Sequence, residues 1–202
     1  MESFTDKLVY IVPSKLPDEL ISSMVKYVGE KSYKSSAVDE SFRGDHNAVR
    51  SSQTSWLDWD EWIPGIIHNM MITANKEYFN YDLTHFATQI QATVYTGESK
   101  DHYTWHTDGG KGVMKSENDV ILERKLSCSL LLSGPEEYTG GELQFHYNKN
   151  FFYSTRPSIG QAIIFPSWVP HRVRPVKTGK RISLVASMNG PCFKYLPREL
   201  YK

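Results

Sequence analysis

The chain has 202 residues, enough for one domain with a core of ordinary size and too few for two full ones. Its 23 Lys and Arg balance its 23 Asp and Glu, so no global field draws it to nucleic acid or to an acidic membrane surface. No stretch approaches the roughly 20 apolar residues that span a bilayer, and the opening MESFTDKLVYIVPSK lacks a basic segment ahead of an apolar run, which together predict a soluble, cytoplasmic protein.

In chain order, Leu20, Ile21, Met24, Val25 and Val28 recur at helical spacing behind Pro17, which predicts a first helix closing near Gly29. Residues 31–47 are polar and Ser-rich and predict an irregular connection that orders as a lid over substrate. A short strand is expected at RSSQTSWL. Asp58 and Glu61 have capping-box spacing, and the stripe Trp62, Ile66, Ile67, Met70, Met71, Ala74, Tyr78 predicts a longer helix from Trp59 to Phe79. Trp56, Trp59 and Trp62 are read as packing between that helix and the sheet region.

From Phe86 the period falls to two, with Phe86, Thr88, Ile90, Ala92 and Val94 facing one way. Strands are predicted at LSCSLLL, GELQFHY, FFYST, QAIIFP, HRVRPV and RISLVASM, separated by turn signals such as Gly140-Gly141 and Thr178-Gly179. Two helices before a long antiparallel β region predict one domain over 1–202, mainly β: a jelly roll or barrel (86–190), with N-terminal helices (1–85) packed outside it. The two cysteines, Cys128 and Cys192, form no disulfide framework, and Cys128 in its apolar run reads as a small buried hydrophobe.

HYTWHTDGG, residues 102–110, places His106 and Asp108 two apart, on one side of extended chain. Such a triplet is commonly a polar surface loop. His171, at the head of a predicted strand, supplies a third ligand 65 residues later (171 − 106). Two imidazoles and a carboxylate leave three open positions on an octahedral ion and suit non-haem Fe(II) in oxygen chemistry. Arg181 lies inside the apolar strand RISLVASM, where a charge is rarely buried without a partner. It is either a rim or internally paired arginine, or a planar fork for a carboxylate ligand. His46, His68, His85, His102 and His146 lack companions at ligand spacing, although His102 sits near the site. Arg172 and Arg174 read as a solvated strand edge, with contact to an acidic substrate as the alternative.

His106-x-Asp108, His171 and Arg181, in this order, resemble the Fe(II)- and 2-oxoglutarate-dependent dioxygenases, in particular the prolyl 4-hydroxylase-like branch. QATVYTGESKDHYTWHTD, LSCSLLLSGPEEYTGGELQF and GQAIIFPSWVPHRVRPVKTGKRISL are similar to that branch's surrounding segments over residues 86–190. The resemblance implies a double-stranded β-helix, a jelly roll, with iron held at its open end by His106, Asp108 and His171, and 2-oxoglutarate held by Arg181 and Tyr95. It also implies substrate near Tyr103 and ascorbate as a plausible reductant. The implied reaction hydroxylates an unactivated C–H bond while 2-oxoglutarate is converted to succinate and CO2. Related halogenases lack the carboxylate ligand, so Asp108 points to hydroxylation. A proline in a protein or peptide is the first substrate expected, and another side chain or a small metabolite the alternative. The rival reading is a non-catalytic jelly-roll module, but a structural zinc site wants four protein ligands where three are present.

Overall fold

The alternating runs pair into two antiparallel sheets in a computed structural model that describes residues 8–13, 15–36, 46–109, 114–115, 121–148 and 151–192. The N-terminal elements are β1 (Tyr10–Ile11), α1 (Asp18–Gly29), β2 (Lys34–Ser35), α2 (His46–Val49), β3 (Arg50–Ser51), β4 (Gln53–Leu57) and α3 (Trp62–Ala74), which runs into a π-helical turn at Asn75–Phe79. Then come β5 (Ile90–Thr96), β6 (His102–His106), β7 (Met114–Lys115), β8 (Ile121–Leu131), β9 (Tyr138–Gly140) and β10 (Leu143–Asn148). The last are β11 (Phe151–Thr155), β12 (Ala162–Pro166), β13 (His171–Val173) and β14 (Val176–Pro191). The major sheet runs β1-β12-β8-β14-β5-β4-β2, with β7 on β8 and β9 on β14, and the minor sheet runs β11-β10-β13-β6-β3. This is the jelly-roll-like, mainly β architecture that the alternation predicts.

Each face of the major sheet has its own task. Ile90, Ala92, Leu126, Cys128, Leu130, Leu184, Ala186 and Met188 point outward and close a core with Met24 and Val28 of α1 and Ile63, Ile67 and Met71 of α3. Burial pushes the Cys128 thiol up to about 12, so it is a small apolar side chain in that core, as expected. The opposite face meets the minor sheet through Tyr95, Leu131, Ile163 and Phe165 against Leu143, Phe145 and Val173. The polar neighbours in β5 are therefore not solvent-facing: Thr93 and Tyr95 are as buried as Ile90 and Ala92.

Four local expectations need correction. The long helix begins at Trp62, three residues late, because Glu61 is engaged by Tyr27 Oη, Lys31 Nζ and the Asp58 amide. Asp58 accepts from Gln89 instead of capping the helix. RSSQTSWL is two strands, since β3 joins the minor sheet beside β6 and β4 joins the major sheet beside β5. Within 31–47, Lys34–Ser35 pair with β4 and His46–Val49 form a helical turn, while the remainder of the expected lid, 37–45, lies outside the described residues. Trp56, Trp59 and Trp62 are exposed, at 47%, 61% and 41%, although Trp62 keeps an edge contact with the Tyr27 ring of α1 at 5.7 Å. Among the described residues, no helix is long and apolar enough to cross a membrane.

Candidate metal centre and its cavity

β6 ends on His106 and β13 begins on His171, and the two are register partners across the minor sheet, so strand pairing removes their separation in sequence. Their ring centroids lie 4.1 Å apart. Beyond β6 the chain turns in beside the end of β12, where the Asp108 and Gly109 amides donate to the Ser167 carbonyl at 2.9 and 2.8 Å. That turn sets Asp108 Oδ1 3.7 Å from His106 Nε2, and Oδ2 3.7 Å from His171 Nε2. All three ligand atoms fall within 4.8 Å of one another, and no fourth His, Cys, Asp or Glu joins them among the described residues.

The hydrogen bonds prepare both rings for a metal. His106 Nδ1 donates to the Thr104 carbonyl at 2.8 Å and His171 Nδ1 to the Val169 carbonyl at 2.9 Å. A neutral imidazole carries one N–H, so each Nε2 presents a lone pair towards Asp108. Burial, reinforced by the neighbouring His171, lowers His106 to about 4 and keeps it neutral at ordinary pH. Burial alone would raise Asp108, but the His171 and His106 rings outweigh it and hold the carboxyl below its usual range. Two neutral nitrogens and one carboxylate that leave further positions open fit Fe(II), and do not fit a closed four-ligand zinc site.

The triad borders a cavity of about 730 Å³ that also receives Tyr95, Tyr103 and Arg181. Arg181 on β14 stands opposite Tyr95 on β5, with its guanidinium carbon 5.7 Å from the Tyr95 ring centre. It is 3% exposed, donates from Nη1 to Ser183 Oγ at 2.9 Å, and has an Nε without a hydrogen-bond partner. Among the described residues no carboxylate pairs with it. A buried guanidinium without a counter-charge is costly, which suits a cavity that receives an anion. Gly141, at φ +66°, makes the close approach possible: a Cβ there would sit 3.1 Å from Arg181 Cδ. Tyr103 stacks on His106 with centroids 3.5 Å apart.

His102 lies apart from the triad, with its ring nitrogens against the Lys100 and Ala48 carbonyls. His68 packs on Phe86 and His146 on Trp105. Three residues have no signal in the sequence reading. Arg50 and Arg124 line the cavity. Asp101, 5% exposed, accepts from Ser51 Oγ and from the Thr96 amide and hydroxyl, while its carbonyl accepts from the Val176 amide. It ties both sheets together at the end where β3 crosses into β4.

Residues 90–188, which hold the triad, Tyr95, Tyr103 and Arg181, match the family model of the 2OG-Fe(II) oxygenase superfamily. This segment belongs to that superfamily. The chain is similar to a PKHD-type hydroxylase of Janthinobacterium sp. (strain Marseille), 39% identical over 43% of this chain and 37% of that protein. A PKHD-type hydroxylase of Stenotrophomonas maltophilia (strain R551-3) is 40% identical over 40% of this chain and 35% of its own length. The matches thus span less than two fifths of either relative.

Solved structures share the oxygenase fold over nearly the whole chain. A Pseudomonas putida prolyl-4-hydroxylase superposes with a TM-score of 0.68 at 17% identity, covering 93% of this chain and 95% of that one. A Trichoplax adhaerens prolyl hydroxylase in complex with a hypoxia inducible factor peptide fragment gives 0.68 at 17% identity over 91% and 84%. The viral collagen prolyl hydroxylase of Paramecium Bursaria Chlorella virus-1, as its 2OG complex, gives 0.64 at 19% over 92% and 98%.

Proposed function

We propose that the protein is an Fe(II)- and 2-oxoglutarate-dependent hydroxylase of an unactivated C–H bond, with a peptidyl proline as its first substrate. The observation that carries this reading is the convergence of His106 Nε2, His171 Nε2 and the Asp108 carboxylate beside a cavity that also holds the unpaired Arg181. His106, Asp108 and His171 hold the iron. Arg181, with Tyr95 beside it, takes the distal carboxylate of 2-oxoglutarate through its free donors, as a planar guanidinium does well. Tyr103, stacked on His106, borders the space where the substrate carbon is presented.

When bound, iron and 2-oxoglutarate together supply oxygen activation and the oxidising equivalents, with succinate and CO2 as by-products and ascorbate as an external reductant. The protein's part is to position and to exclude water. The Thr104 and Val169 carbonyls fix both imidazole tautomers, and Ser183 holds one branch of Arg181 still. The peptide lean rests on the printed names of the prolyl hydroxylases whose fold the chain shares.

Anaerobic calorimetry tests the assignment. Fe(II) should bind once per chain, and 2-oxoglutarate should bind after it. His106→Ala should abolish the first event, and Arg181→Gln should spare it while removing the second. Tight 2-oxoglutarate binding by Arg181→Gln would contradict the assignment of the anion to that residue.

A further inference from the structure

Behind the triad, three serines are buried side by side that neither the metal site nor Arg181 uses. Ser127 on β8 and Ser187 on β14 are register partners, and Ser167 follows the end of β12. Ser127 and Ser167 are 0% exposed and Ser187 5%. Ser127 Oγ lies 2.9 Å from Ser167 Oγ and 3.4 Å from Ser187 Oγ. A buried hydroxyl is costly without a partner, and alanine would fill each of these positions without needing one.

The cluster meets the triad at Asp108. Ser167 is the residue whose carbonyl accepts the Asp108 and Gly109 amides, and its own amide donates to the Lys125 carbonyl at 2.9 Å, which fastens the ligand-bearing turn to β8. Burial raises the Asp108 carboxyl, His171 and His106 lower it, and the Ser127 hydroxyl acts on it in the same lowering sense. A hydroxyl has one proton to give and two lone pairs to receive. Neither Ser167 Oγ nor Ser187 Oγ has a second hydrogen-bond partner among the described residues, so both give their protons to Ser127 Oγ. Were Ser127 to donate to either, that neighbour's own proton would lack an acceptor. The Ser127 proton is left for the carboxylate, which can only accept. Two incoming hydrogen bonds polarise the outgoing one and strengthen it.

A carboxylate can grip a cation with one oxygen or with both. Three single-atom ligands leave three octahedral positions open, enough for a two-toothed co-substrate and dioxygen, and a second Asp108 oxygen would take one of them. We propose that Ser127, braced by Ser167 and Ser187, is a positioning residue that engages one oxygen of Asp108 and so confines this carboxylate to a single ligand atom. The inference rests on the hydroxylase reading and adds to it the device that keeps the metal open.

The test reads two binding steps by anaerobic calorimetry, Fe(II) first and 2-oxoglutarate second, with the visible charge-transfer absorption of the ferrous chelate as a report on two-atom binding of 2-oxoglutarate. Ser127→Ala should bind Fe(II) within about threefold of wild type, yet take 2-oxoglutarate about tenfold or more weakly and with a diminished band, the scale on which outer partners of metal ligands act. Ser127→Thr keeps the hydroxyl and should restore both readings. The melting temperature falls whichever role the serine has, because two buried protons lose their acceptor, so the second binding step is the discriminating one. Equal losses in the two steps would mark Ser127 as a support of the fold and overturn the inference. Should Ser127→Ala not fold, Ser167→Ala removes one brace, keeps the carbonyl that holds the turn, and should weaken the second step alone; an unchanged second step there overturns the inference as well. Wild type that binds neither Fe(II) nor 2-oxoglutarate sinks the hydroxylase reading. Wild type that binds both, with Ser127→Ala indistinguishable from it, sinks this inference alone.

Discussion

Arg181 concentrates the argument at the residue scale, because its charge is buried, its Nε is unpartnered and its Cδ rests against the space that Gly141 leaves. Removing one member of a buried charge pair weakens binding by about 2 to 5 kcal/mol. Arg181→Gln is therefore expected to raise the KM for 2-oxoglutarate by at least about thirtyfold, while the melting temperature of the ligand-free protein stays level or rises. A fall of many degrees would mark Arg181 as a structural residue. Gly141→Ala should act on the same subsite indirectly. A side chain at φ +66° is strained and crowds Arg181, so 2-oxoglutarate binding and stability should fall together, the latter by about 1 kcal/mol or more in chemical denaturation.

These residues differ in how visible they are in the sequence. His106, Asp108, His171 and Arg181 stand out because each is a polar group interrupting an apolar or turn pattern, and their order matches a known family. Arg50, Arg124 and Asp101 do not, since an arginine at the head of a polar strand or an aspartate in a turn has an ordinary explanation. Only the register that sets Arg50 opposite Tyr103 makes its placement informative.

At the scale of elements, alternation located the strands of both sheets but missed how they divide. β3 and β4 read as one run because the change of sheet falls on Ser52, a residue with no breaker character. β14 is twice as long as its apolar stretch, since its polar first half pairs with β9 and β5 rather than turning away. Trp56 on β4 and Trp59 ahead of α3 reverse the packing expectation, since neither lies on the helix whose stripe suggested it, while Trp62 at the start of α3 stays half-exposed against Tyr27. Asp101 is the joint that holds the β3–β4 crossing against β5 and β14. Asp101→Ala leaves the Thr96 amide without its acceptor, for about 1 to 3 kcal/mol. It should raise the KM for peptide by a larger factor than it weakens iron binding, because the rim moves and the triad does not. Equal losses in both would contradict that division.

Across the whole molecule, the metal-free protein carries a pH signature. The folded chain holds His106 at about 4 where an ordinary imidazole sits at 6.5, so between those values the unfolded chain binds the additional proton. Stability is then lost as pH falls from 6.5 towards 4, by about 3 kcal/mol at most for that group. Asp108, held low, adds its own loss at still lower pH. Thermal melts in chelator at neutral pH and near pH 5 should show the decline, and a flat profile would contradict a neutral, buried His106. Iron should raise stability at pH 7 by mass action and lose that effect on acidification, since protons compete for the same nitrogens.

The measurement that tests the hydroxylase reading most directly is product formation under air, with Fe(II), 2-oxoglutarate and a set of proline-containing peptides. Succinate and the peptide product are quantified together for wild type and Asp108→Ala. The reading predicts succinate and a peptide one oxygen heavier in equal amounts, the new oxygen on proline, and neither product from Asp108→Ala. Folded wild-type protein that binds iron and 2-oxoglutarate yet forms no hydroxylated peptide would contradict it.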